Sequence, residues 1–215
     1  MSETMIATLI GCVVTLITTM VTLFVNSQIE KNKCQLEIQQ KKYGFKREKL
    51  SDIYRELVDI VNQYPNCSPN DILQYCEVDT NYSMESFDAV LKTLDYHIMD
   101  YEKKLNNYNL DYEKKSDYEI QISNRKYAKK KISEIRDEYY TARDRYQSFC
   151  KSDKAVFDLY AGQDVRNWLV EFEVIIHNVF KSGHSVGNAD DPLNNKIEMV
   201  RRKIICSMRH DIGTY

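Results

Sequence analysis

Chain-breaking residues are scarce: 215 residues hold six glycines and three prolines, and neither type occurs between Pro69 and Gly162. Catalytic motifs are missing as well. There is no P-loop, no G-x-G-x-x-G, no H-E-x-x-H and no G-x-S-x-G, so the usual phosphate, dinucleotide, zinc-protease and hydrolase signatures are excluded. Six cysteines (Cys12, Cys34, Cys67, Cys76, Cys150, Cys206) form no CxxC and no regular ladder, which suggests neither a zinc site nor a disulfide framework. The net charge of −2 gives no global case for nucleic-acid binding, so any basic site must be local. The most informative absence is of charge. Met5 to Val25 runs 21 residues without Asp, Glu, Lys or Arg.

As a helix that run is about 31 Å long, enough to cross the hydrocarbon core once. Within it Thr8, Cys12, Thr15, Thr19, Thr22 and Asn26 follow at spacings of 4, 3, 4, 3 and 4, which places all six on one side of a helix. A cleaved signal peptide fits poorly. The start is Ser2-Glu3-Thr4 rather than basic, the apolar run is too long, and Val25-Asn26-Ser27-Gln28 is a poor cleavage site. From Asn26 to Leu50 seven basic residues (Lys31, Lys33, Lys41, Lys42, Lys46, Arg47, Lys49) face three acidic ones (Glu30, Glu37, Glu48), and the other flank has no Lys or Arg. That bias predicts an inner-membrane protein with its N-terminus outside and everything after the span cytoplasmic. The sequons at Asn66 and Asn81 are then chance matches.

The remainder reads as an all-α cytoplasmic domain, because apolar residues recur at helical spacing. The expected organisation is a transmembrane helix over 1–28, a juxtamembrane stalk helix over 29–64 and a helical bundle over 65–215. Ile29, Leu36, Tyr43, Leu50 and Leu57 step by seven, Gly44 is a candidate bend, and Tyr64-Pro65 should end the helix. Ser68-Pro69 has the form of an N-cap and first helical residue. A helix from about Met84 carries Phe87, Leu91, Leu94, Ile98, Tyr101, Leu105 and Tyr108. Asn106, Asn107, Asn109 and Ser116 mark a reversal into a second helix, whose face is Ala128, Ile132, Ile135, Tyr139, Ala142, Tyr146 and Phe149. The two form a long antiparallel hairpin. Helices follow over Val156–Tyr160 and, after Gly162, over Val165–Phe180 with Gly183 as C-cap. Ser182 to Asp190 reads as a flexible loop, and Asp191-Pro192 as the opening of a final helix that buries Leu193, Ile197, Val200, Ile204 and Met208 and closes at Gly213.

No catalytic group stands out, and no cofactor or metal is expected. His97 and His177 fall on helices, where a hydrogen-bonded histidine at a core margin is the simpler account. His184 with Asp190 and Asp191 is an ordinary polar loop. Glu171 and Glu173 flank Phe172 and point to different sides of a helix. Arg125, Lys126, Lys129, Lys130 and Lys131 read as a solvated face. Arg201, Arg202 and Arg209 on the final helix are candidates for an anionic ligand such as a nucleotide or short oligonucleotide, with Trp168 available to stack on a base.

The ending Met208-Arg209-His210-Asp211-Ile212-Gly213 resembles the M-R-x-D-[LI]-G terminus of bacterial proteins with one N-terminal membrane helix and a small helical domain. The architecture is similar to membrane effectors of anti-phage systems, among them the Hailong-type channel effectors. The resemblance implies a membrane effector opened by a signal and brings no catalytic residue; the strict 4-3 spacing of the Thr8–Asn26 stripe predicts a homo-oligomer, with a tetramer as the candidate, in which that stripe faces inward. Two other classes stand beside it: a membrane-anchored adaptor that binds a partner protein, and, ranked last, a membrane-tethered enzyme.

Overall fold

The described residues form seven α-helices and contain no strand beyond one isolated bridge between Gly187 and Asn195. The computed structural model describes residues 3–76, 82–106 and 110–213, with side chains from residue 11 onward. The side chain of Thr8, and Asn81, Asn107, Tyr108, Asn109 and Tyr215, lie outside the described residues. Helix α1 spans Glu3–Gln63, and Gly44 is itself helical. The chain divides into two units, Met1–Glu48 and Lys49–Tyr215.

The first unit is a single helical segment. Its apolar run makes α1 the one helix among the described residues long and apolar enough to cross a membrane, and none of that window is buried. Val13, Leu16, Ile17, Met20, Leu23 and Phe24 are all exposed.

The second unit is a helical domain. The end of α1 belongs to it, because Leu50, Ile53, Tyr54, Leu57, Ile60 and Val61 are all buried there. Pro65 follows the helix, as expected from the restriction proline puts on the residue before it. Helix α2 (Pro69–Leu73) starts with a capping box: Asp71 N–H donates to Ser68 Oγ at 3.1 Å, and Ser68 N–H to Asp71 Oδ2 at 3.1 Å. Two 3₁₀ turns, Gln74–Cys76 and Met84–Ser86, precede helix α3 (Phe87–Leu105). Helix α4 (Tyr112–Ser152) runs back along it. Lys126 pairs with Glu102 at 3.1 Å, Lys129 with Asp95 at 2.6 Å and Arg136 with Asp88 at 3.5 Å, so numbering rises on α4 as it falls on α3: the hairpin is antiparallel. Ser116 lies inside α4 rather than in the reversal, because the helix already starts at Tyr112, with Asp111 extended at its N-cap position.

Helices α5 (Lys154–Tyr160), α6 (Gln163–Phe180) and α7 (Lys196–Asp211) complete the domain. At the end of α6 Gly183 takes the left-handed conformation at φ +72°, and His184 N–H reaches back to Asn178 O at 3.0 Å. Two expectations fail here. Segment 182–190 is pinned rather than loose: Val186 is fully buried, its N–H donates to Asp71 Oδ2 at 3.3 Å, and its carbonyl accepts from Lys196 N at 2.9 Å. Nor does Asp191-Pro192 open α7. Asp191 Oδ1 accepts from Leu193 N at 3.0 Å in a local turn, and Leu193 is exposed. The helix starts after Asn195, whose Oδ1 accepts from Glu198 N at 3.1 Å and whose Nδ2 donates to Asn66 O at 2.7 Å.

Candidate functional site

The cationic helix α7 separates into two sides. Arg201 lies on the same 3-4 stripe as Ile197, Val200, Ile204 and Met208 and is buried with them. Its Nε donates to Val61 O at 2.7 Å, another donor reaches Tyr64 O, and a third meets the Glu198 carboxylate. The last turn of a helix leaves carbonyls without intrahelical partners, and this guanidinium supplies donors to them at the end of α1. Burial pulls the Arg201 pKa down, while Glu198 holds it up. Arg201 is therefore a structural clamp between α7 and α1 and is turned away from any surface ligand, which corrects its assignment as an anion-binding residue. Arg202 and Arg209 stay at the surface. Trp168 is not open for stacking on the face that Lys203 covers, with Nζ 4.2 Å from the ring centroid.

The end of α7 is a second anchor. Asp211 Oδ2 accepts from Gly162 N at 2.8 Å and from the Tyr54 hydroxyl, tying α7 to the start of α6 and to α1 at once. A Cβ at residue 162 would meet the Asp211 carboxylate, which would have to shift and loosen its bond to the residue 162 N–H. Burial and the bond to Asp211 push the Tyr54 phenol well above its usual range, which keeps it a donor. Gly213 sits at φ +69° just past the helix. Met208, Asp211 and Gly213 of the terminal pattern thus have structural roles in this fold.

Arg125 also departs from the expected solvated face. It is buried, donates to Cys76 O at 3.0 Å, and lies 4.8 Å from the Tyr101 ring centroid. Lys126, Lys129 and Lys131 pair with acids, mostly across the α3–α4 seam. No group of three or more His, Cys, Asp or Glu could hold a metal ion among the described residues. Burial pushes the Cys67 thiol up to about 11 and raises that of Cys76, the opposite of what a nucleophilic thiolate needs.

No protein-family model matches the chain, and neither a curated protein nor a solved structure matches it. The molecule's own geometry therefore has to carry the reading.

In the apolar helix, Thr15, Thr19 and Thr22 each return a hydroxyl hydrogen bond of 2.8 Å to the carbonyl four residues back. Thr18, off the stripe, does the same at 2.8 Å. These threonines need neither water nor a neighbour to satisfy their donors, so the helix suits a dry hydrocarbon setting. Cys12 and Asn26, the other described members of the stripe, are exposed.

Sequence reasoning missed a pocket of about 350 Å³ where the end of α1, α4 and α6 meet. Tyr64, Tyr139 and Phe172 wall it; Tyr64 packs edge-on against both others, with centroids 6.2 and 5.5 Å apart. Arg143, His177, Lys181 and Glu173 stand at its rim, and the Tyr146 hydroxyl donates to the Glu173 carboxylate. The tyrosine richness of the seams was the only available signal, since the three walls come from three separate helices.

Proposed function

We propose that this protein is a homo-oligomeric, single-pass membrane effector of the anti-phage, membrane-permeabilising kind, with the helical domain in the cytoplasm as sensor of an anionic ligand. The observation that carries the reading is the apolar portion of α1: it is long enough to cross a bilayer, and none of its apolar window is buried among the described residues. Left in water, such a surface would cost about 25 cal/mol for every Å² of apolar area, so a bilayer or other spans must cover it. The stripe supports self-association. Small side chains with internally satisfied hydroxyls let helix backbones approach closely, and Asn26 adds an amide able to bond across helices. The cytoplasmic side rests on the seven-to-three excess of basic residues after the span.

The same dry threonine bonds favour a second reading, a membrane-anchored adaptor whose spans merely pair and whose domain binds a partner protein. Subunit number separates the two. The purified full chain in detergent, sized by light scattering with the micelle contribution subtracted, is expected to contain four or more copies. Two copies would favour the adaptor, and a monomer would contradict both readings.

A further inference from the structure

We infer that the pocket between the end of α1, α4 and α6 is a binding site for a small aromatic carboxylate, its ring lying against Tyr64, Tyr139 and Phe172 and its acid group facing Arg143 and Lys181. Tyr64 and Tyr139 are only 6% and 4% exposed, yet neither hydroxyl has a hydrogen-bond partner among the described residues. A tyrosine this buried ordinarily finds one. Neither oxygen is among the fully enclosed unpartnered atoms, so both open onto space, and the space these residues line is the pocket.

The chemistry of the lining then selects the occupant. The two phenols are donors, and burial raises the pKa of both, so they stay protonated. Arg143, Lys181 and His177 add further donors at the rim. The one carboxylate, Glu173, accepts from Tyr146 through one oxygen and is exposed, and Gln147 is the only amide, so the cationic and phenolic donors of the lining outnumber its acceptor side chains. A lining with many donors and few acceptors asks for an oxyanion. Aromatic walls ask for a flat apolar body, and about 350 Å³ holds one of modest size. Arg143 is half-buried, pairs with Asp144 at 2.8 Å and rests 4.5 Å from the Tyr140 ring centroid, so its charge is held in place at the mouth. Among the described residues Lys181 has a single long pair, 3.8 Å to Glu85.

Occupancy would also be felt by α1. Val61 and Tyr64 line the pocket, and their carbonyls are the ones Arg201 holds. The site stands on the geometry of the helical domain and does not depend on the membrane reading.

The test is calorimetric titration of the full chain in a neutral detergent with 2-naphthoate, against 2-naphthamide as the uncharged isostere and empty micelles as blank. One saturable site per chain is expected, with a Kd below about 1 mM. The amide should bind at least about tenfold more weakly, a step of about 1.4 kcal/mol. The Tyr64→Phe/Tyr139→Phe double variant removes only unpartnered hydroxyls; it should keep the thermal midpoint and weaken naphthoate binding about tenfold or more. Arg143→Gln should weaken it similarly. No binding above the micelle blank overturns the inference. So does equal affinity for acid and amide, or a double variant that binds as wild type does.

Discussion

Arg201→Ala is expected to destabilise the helical domain by about 3–5 kcal/mol. The side chain is 8% exposed and serves three acceptors at once, so its removal strands two buried carbonyls and the Glu198 carboxylate. Arg201→Lys keeps the charge but not the fork, and a single ammonium cannot span Val61 O, Tyr64 O and Glu198; it should recover less than half of the loss. Thermal and urea unfolding followed by circular dichroism measures both. If Arg201→Ala unfolds as wild type does, the clamp is not holding α7 to α1.

Asp211→Ala should cost about 2–3 kcal/mol. It removes the acceptor for Gly162 N–H at the start of α6 and leaves the Tyr54 hydroxyl, on a residue 3% exposed, without its partner. Asp211→Asn retains an acceptor oxygen and should lose no more than about half as much. Tyr54→Phe is the informative companion. Combined with Asp211→Ala it should cost less than the sum of the two single changes, because both remove the same bond. Full additivity would show that Tyr54 and Asp211 act separately.

Arg201 looks like surface chemistry in the sequence, as does Arg125. The all-α class, the stop before Pro65, the Ser68 cap and the α3–α4 hairpin were legible because each has a local cause: helical spacing, a cap oxygen, a proline. What was not legible depends on partners far along the chain. Arg201 follows Ile197 by four and precedes Ile204 by three, and Arg125 precedes Ala128 by three and Ile132 by seven; both stand on apolar stripes. That spacing was the available sign of burial, outweighed by the usual reading of arginine as solvated. The start of α7 was misplaced because Asp191-Pro192 imitates a helix opening, although Asn195 with Glu198 three residues on is the better capping pair. Segment 182–190 looks loose from its polar composition. Its one bulky apolar residue, Val186, is what fastens it.

The terminal pattern is instructive in the same way. Met208 is buried, Asp211 joins three helices, and Gly213 takes a left-handed turn, so helix packing alone accounts for those three residues. The case for a membrane effector rests instead on α1.

The central claim, that the spans assemble along the threonine face, is tested most directly by disulfide crosslinking of single cysteines in membranes. Each variant carries one cysteine in the span, with the native cysteines elsewhere replaced by serine. Crosslinked product should peak at Thr8, Cys12, Thr15, Thr19 and Thr22 and fall away at Ile10, Val13, Ile17 and Met20. Equal or stronger crosslinking at the second set would contradict the account, because the aliphatic face would then be the one that meets its neighbours.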